Sequence, residues 1–568
     1  MLNAIAIVPA LIVATAGAAI LVLGRGRAFP SGRFGVGLCW LGLLAAAVTL
    51  ALAHPESQPQ PPARLPISAV SRDSLSTGTA WMALLLGTMC AALAMVGSSR
   101  REPSPIPMGE GRVRAAFTVS GRQAVVLFSL GGVLLACVAN DFVLVILGVS
   151  GSALAICAGQ FFEAETADER YTAVQSLVLN ALGAVCLVSG ALLLSALGGT
   201  TNLAELHALP AHGGAASDHM AAHASRALPL AGEVGCVLLL AGFGIPLLAA
   251  PFQLAAAEIF EGSTPWSLGL MAVLPRCAVL VAMIRVFVEG MPRYLSSAQT
   301  ALTAVALVTL LIGGSLAYWQ TSLRRLIALV VMVQAGLILL ALAAACSEAA
   351  RPDAVRWIDA QIPGGAGAAW LLFGVDALAL LGLAAIVSGL ERTEKRVDDL
   401  EEFTRRLRGD RSLAAATVLL LLSLSGVPPL PGFWTRIAVL RSVLSVSFPP
   451  ENDFLPHQNT GYVLFALLTV VAWLAVAAPC LIVATRLLPS QTPMEAADSN
   501  VARASRAPGR SGLRFGAAIA TFVVVLGFVP NLGLHLAARV TFRKPGDAVL
   551  AEKAQPVKKH RRARTSDE

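Results

Sequence analysis

The residues of this chain that can do chemistry are the few ionisable side chains inside apolar runs. Arg276 follows Pro275 within one such run, Asp376 sits near the middle of another, and Arg436 comes just after a proline-rich interruption. Glu258 and Glu261 lie beyond a second interruption. A charged group at bilayer depth is costly, and such residues mark ion pathways or satisfy other polar groups. A carboxylate there can bind and release a proton, whereas a guanidinium keeps its charge in proteins. Arg276 and Arg436 are therefore expected to line a polar channel as fixed cations, or to satisfy carbonyls freed by neighbouring prolines. Asp376 is the best proton-exchanging candidate in the second half of the chain, against the plainer reading of a neutral or interhelical hydrogen-bonded carboxyl.

The element that must position Arg436 is unusual. Residues 412–435 are uncharged, yet Gly426, Pro428, Pro429, Pro431 and Gly432 interrupt them. In lipid every backbone N–H and C=O needs an internal partner, so a break at that depth is tolerated only inside protein or beside a wet cavity. Transporters place ion sites at such discontinuous helices. A related interruption runs Gly244-Ile-Pro246-Leu-Leu-Ala-Ala-Pro251-Phe252.

The 568 residues are 56% hydrophobic and 13% charged, with mean hydropathy +0.72. No soluble globular domain has that balance, and runs long enough to cross a bilayer recur throughout. The expected fold is an all-α polytopic membrane protein with about fourteen spans, of which 7 and 12 are discontinuous. They lie near 3–23, 34–53, 80–97, 122–138, 141–160, 171–197, 231–251, 266–288, 299–318, 323–346, 367–389, 412–446, 461–486 and 513–536. Two broken helices five spans apart imply two inverted five-helix repeats, 122–288 and 299–486. An N-terminal part, 1–121, holds helices 1–3 and a proline-rich linker, 55–66. A final helix, 513–536, precedes a basic tail, 544–568, expected to be disordered.

The net charge of +8 is read as loop arginines facing the cytoplasm, not as a nucleic-acid surface. Arg25, Arg100, Arg101, Arg324, Arg325, Arg392 and Arg405 all follow odd-numbered spans, which puts both termini outside. The basic tail alone would favour the other side. The loop 203–226, with His207, His212, His219 and His223, has no familiar metal spacing and is expected to be mobile. None of the nine cysteines forms a C-x-x-C pair, and they are read as small buried hydrophobes.

Five segments share an order with a known family. They are Glu165-Thr-Ala-Asp168-Glu-Arg170-Tyr171, Gly198-Gly-Thr-Thr-Asn202-Leu, and Pro251-Phe252-Gln253 with Glu258-Ile-Phe-Glu261-Gly262-Ser-Thr-Pro265. The others are Gln320-x-x-Leu323-Arg324-Arg325-Leu-Ile-Ala328 with Gln334-Ala-Gly336, and Leu422-Ser-Leu-Ser-Gly426-Val-Pro428-Pro429-x-x-Gly432-Phe433. The chain resembles the antiporter-like membrane subunits of proton-translocating NADH:quinone oxidoreductase (respiratory complex I), those of subunit N type, and more broadly Mrp-type cation/proton antiporter subunits.

The resemblance implies a membrane-arm subunit of the bacterial inner membrane that moves protons while partner subunits reduce quinone. NADH, FMN, iron–sulfur clusters and quinone would belong to those partners, with no cofactor or metal in this chain. It also implies a titratable relay of a glutamate and lysines at positions held here by Ser150, Pro246, Arg276 and Arg436, and a histidine where Gln253 stands. The candidate path is thus Arg276, Arg436, Asp376 and Glu258, set by breaks at Pro246, Pro251, Pro428, Pro429 and Gly432. Two other readings stand beside it: an Mrp-type or hydrogenase-linked antiporter subunit, and a degenerate paralogue that holds an assembly together.

Overall fold

The computed structural model of the chain describes residues 6–24, 32–52, 70, 73–96, 119–164, 166–208, 221–350, 364–391, 397–408, 410–447, 456–487 and 510–541. The linker at 55–66 and the tail at 544–568 lie outside the described residues. The first helices are α1 (Val8–Gly24), α2 (Gly32–Leu52), α3 (Ser74–Val96), α4 (Val119–Val138), α5 (Phe142–Glu163), α6 (Ala167–Gly198) and the short α7 (Leu203–Ala208). The middle of the chain forms α8 (Ala221–Leu247), α9 (Gln253–Gly262), α10 (Pro265–Met283, continued by a π-turn at Ile284–Gly290), α11 (Leu295–Tyr318) and α12 (Leu323–Ala350). Then come α13 (Gly365–Glu391), α14 (Leu400–Leu407), α15 (Arg411–Ser425), α16 (Pro431–Ser447), α17 (Pro456–Leu487), α18 (Arg510–Phe528) and α19 (Pro530–Thr541).

Among the described residues, eleven helices are long and apolar enough to cross a membrane, and a twelfth span forms if Arg514–Phe528 and Gly533–Val540, bent by 83°, count together. Where they are described, the fourteen expected segments coincide largely with helices. Three fall on shorter or broken ones: the first on α1, the twelfth on α15 and α16, and the last on the bent pair. The polar loop at 203–226 differs from expectation. Its described ends are helical, in α7 and the start of α8, and the His207 ring lies 2.6 Å from the Glu289 carbonyl.

Burial sorts the helices into a centre and a rim. The apolar windows of Pro265–Gly290, Leu323–Ala349 and Gly365–Glu391 are 89%, 100% and 94% buried by protein, against 28% for α6. Lipid tails are as apolar as leucine, so such helices associate through close packing, which small residues permit. A methyl group on Gly190 of α6 would stand 2.8 Å from the Gly235 carbonyl of α8, and one on Gly132 of α4 would stand 2.6 Å from the Ser152 nitrogen of α5. The three central helices carry Arg276, Gln334 and Asp376. Each of these side chains therefore meets protein and not lipid.

The two interruptions are built alike. α8 closes with Leu248 at φ 67°, whose N–H donates to the Ile245 carbonyl (3.0 Å) while Ala249 donates to Gly244 (2.8 Å). α15 closes with Gly426 at φ 71°, which donates to Ser423 (3.0 Å) while Val427 donates to Leu422 (3.1 Å). Both are Schellman caps, which satisfy carbonyls that a helix end would otherwise leave open. Three residues past the left-handed position stands a cis proline, Pro251 or Pro429, and the next helix starts two residues later. Glycine adopts the left-handed conformation without penalty, whereas Leu248 gives up about 1–2 kcal/mol to do so.

Candidate functional site

The second break brings two helix ends very close together. A Cβ on Gly432 would lie 1.8 Å from the Ser423 carbonyl oxygen, so only glycine allows α16 to start there. Arg436, one turn further on, bridges the gap. Its guanidinium donates to the Gly432 carbonyl (Nη1, 2.8 Å) and to the Leu424 carbonyl at the end of α15. The Trp473 indole of α17 donates to the neighbouring Ser425 carbonyl at 2.7 Å. Carbonyls freed by the break are thus met by a cation and an indole.

Asp376 of α13 faces this junction. Its Oδ1 lies 3.7 Å from Arg436 Nη1, with both side chains buried, and neither carboxylate oxygen has a hydrogen-bond partner among the described residues. At that separation the contact is an ion pair without a hydrogen bond. Arg276 approaches from α10. It donates to the Ala272 carbonyl (3.2 Å) and across to the Val331 carbonyl of α12 (3.1 Å), and its guanidinium lies 5.9 Å from the ring of Phe373, one turn before Asp376. Asp376 feels the charge of both arginines. The arrangement is a buried carboxylate between two fixed cations at the centre of the bundle.

The other candidates fall elsewhere. Glu258 of α9 is exposed and accepts from Gln175 of α6 at 2.9 Å, outside the arginine–aspartate cluster. Pro246 and Ser150 are half-buried on α8 and α5, and the Gln253 side chain lies outside the described residues. Three further participants lie beyond the residues that the sequence marks as a site. Gln334 and Ser423 are buried polar side chains with unpartnered atoms, and Phe373 lies against Arg276. A polar residue isolated within an apolar run was the available signal for the first two.

Ion networks close both ends of the bundle. At the end holding the loops after spans 7, 9 and 11, Arg324 of α12 is 1% exposed. It donates to the Ser263 carbonyl and to Glu391 (2.6 Å) and forms an ion pair with Asp398 (Nε–Oδ1, 3.4 Å), while Arg325 meets Glu261 at 2.7 Å. At the opposite end Arg285 meets Asp73 at 2.9 Å and the Cys137 carbonyl at 3.0 Å. Burial by itself would raise the Asp73 carboxyl. The Arg285 charge and the Ser76 N–H and hydroxyl outweigh it and hold Asp73 below the usual carboxylate range.

The family model "NADH:quinone oxidoreductase/Mrp antiporter, TM" matches residues 139–449, more than half of the chain. The chain belongs to this family. Both breaks and the Arg276–Asp376–Arg436 cluster fall inside the matched region, and the chain is a multi-pass membrane protein. Among curated relatives, NADH-quinone oxidoreductase subunit N of Herminiimonas arsenicoxydans is 28% identical over 319 residues, 56% of this chain and 60% of that protein. The subunit N of Desulfovibrio desulfuricans is 28% identical over 372 residues, 64% of this chain and 68% of that one. The chain thus spans about 60% of the first relative's length. Two solved structures share the family fold. A chain of respiratory complex I from Thermus thermophilus has TM-score 0.62 at 20% identity, covering 93% of this chain and 99% of that one. A chain of the Mrp complex from a Dietzia species has TM-score 0.65 at 18% identity, covering 95% and 96%.

Proposed function

We propose that this chain is a membrane-arm subunit of an NADH:quinone oxidoreductase-like assembly, of subunit N type, in the bacterial cytoplasmic membrane. It moves protons while partner subunits, which hold NADH, FMN, iron–sulfur clusters and quinone, carry out the redox chemistry. The chain itself supplies no redox centre. Its organisation is two inverted repeats, 122–288 and 299–486, a division supported by the matched construction of the two breaks. Asp376 is the group that takes up and releases the proton, and Arg276 and Arg436 are fixed cations that hold the carboxylate at the break. The observation that carries this reading is the Asp376 carboxylate itself, buried beside a broken helix and without a hydrogen bond among the described residues. A group locked into structure would have its oxygens filled.

A second reading is favoured by the arginines, whose hydrogen bonds all go to backbone carbonyls. In it the chain braces the assembly without moving protons. The two are separated by purifying the assembly through a tag on this chain, reconstituting it in liposomes, and comparing Asp376→Asn with the wild type. Proton translocation by this chain requires that quinone reduction persist while protons moved per NADH fall. An unchanged ratio in a fully assembled variant removes Asp376 from the path and leaves the bracing role.

A further inference from the structure

Gln334 lies on α12, the helix whose apolar window is wholly enclosed by protein, and it is 2% exposed. Neither its amide oxygen nor its amide nitrogen meets a partner among the described residues. An amide brings two donors and an acceptor that an aliphatic residue of similar size would not. Helical side chains lean toward the N-terminus, so Gln334 covers the turn that contains Val331. The Val331 carbonyl is where Arg276 Nη2 reaches α12. Arg276 Nε is also buried without a partner, as are both oxygens of Asp376.

Three central helices thus carry complementary orphan groups: N–H donors on Arg276 and Gln334, and acceptors on Asp376 and Gln334. Buried polar groups of this kind are satisfied by ordered water, which needs two to four polar partners. The geometry points to Gln334 as a positioning residue: it holds bound water between the Arg276 guanidinium and the Asp376 carboxyl, and the proton reaches Asp376 through that water. This inference rests on the proposed proton path and deepens it by naming the side chain that hydrates the carrier. The step balances without electrons. A hydronium gives its proton to a carboxylate oxygen of Asp376 and remains as water, and release reverses this. Both guanidinium groups stay charged, and the Gln334 amide exchanges no proton with the path.

The test uses the assembled complex, purified through this chain, and infrared difference spectra recorded across a pH change in H2O and D2O. The carboxyl C=O band that disappears in Asp376→Asn belongs to Asp376. In Gln334→Leu that band moves to higher frequency, because the carboxyl loses a hydrogen bond, and its deuterium exchange slows at least tenfold. Gln334→Met, unbranched and close in volume, gives the same result if the leucine disturbs packing. A band and an exchange rate unchanged in both variants overturn the role of Gln334 and leave Asp376 as carrier. A spectrum in which Asp376→Asn removes no band overturns the carrier as well, and the role of Gln334 falls with it.

Discussion

Gly432→Ala tests the second break most directly. The new Cβ would lie 1.8 Å from the Ser423 oxygen, 2.8 Å from its carbonyl carbon and 3.0 Å from Arg436 Nη1. Carbon–oxygen contacts settle at about 3.3–3.6 Å, so the ends of α15 and α16 must part by roughly 1.5 Å. Overpacking of this kind costs about 1–3 kcal/mol. Arg436 spans the same gap, from the Gly432 carbonyl to the Leu424 carbonyl, and cannot keep both bonds as it widens. Losing one hydrogen bond from a charged donor adds about 1.5–3 kcal/mol. The expected total is about 4 kcal/mol. At about 2 cal/mol/K of unfolding entropy per residue, that lowers the melting midpoint of the 568-residue chain by about 3 °C. Proton translocation should fall with it, because Arg436 no longer faces Asp376. The assay is thermal unfolding of the detergent-purified complex alongside pumping in liposomes, with Gly37→Ala as control. No heavy atom lies within 4 Å of that added methyl group. A Gly432→Ala complex that melts and pumps like wild type would refute the close approach of the two helix ends.

Two further outcomes follow from the networks at the ends of the bundle. Arg324→Ala leaves Glu391 partly buried without its cation and should destabilise the complex by about 3–5 kcal/mol. Arg324→Lys should rescue only part of this, since an ammonium lacks the planar fork that serves several acceptors at once; thermal unfolding of the two variants checks both. Asp73 is held below the usual carboxylate range, so its stabilising effect is complete above that range and lost as pH falls through its lowered value. Asp73→Asn should therefore be less stable than wild type near neutral pH, and the two should converge in acid below about pH 4. Melting curves taken across that interval check it, and a gap independent of pH would contradict the pairing with Arg285.

The parts of this molecule that were readable in advance are those written in one stretch of chain. Uncharged runs mark the helices, because the bilayer admits little else. The second break is plain because Gly426, Pro428 and Pro429 leave the backbone no helical choice. The first break reads more faintly, since its left-handed residue is Leu248, a type that rarely adopts that conformation. Pairings between distant helices leave no local trace. Nothing near Asp376 says that Arg436, sixty positions away, supplies its partner. Glu258 lies close to the first break in sequence, but its side chain is exposed and bonded to Gln175 of α6. Gln334 was visible as a lone amide in an apolar run, yet its meaning depends on Arg276 reaching the same turn from another helix.

Arginine in place of lysine changes what has to move on the proposed reading. A lysine relay switches its own charge, whereas Arg276 and Arg436 remain cations throughout, so any alternation falls to Asp376. With Asp376 ionised the cluster carries one net positive charge, and with Asp376 protonated it carries two. The Asp376–Arg436 attraction at 3.7 Å is about 4–5 kcal/mol for an effective dielectric near 20, and protonation removes it. Two buried cations then oppose each other, and among the described residues each is hydrogen-bonded only to backbone carbonyls. Those holding Arg436 belong to Leu424 and Gly432, on the two sides of the break. A continuous helix would resist the resulting push, because every carbonyl is already committed to its own ladder. A broken one can yield, since Arg436 itself is the tie between the halves. On the proposed reading, the proline break therefore supplies the compliant joint that a fixed cation needs beside a titrating carboxyl.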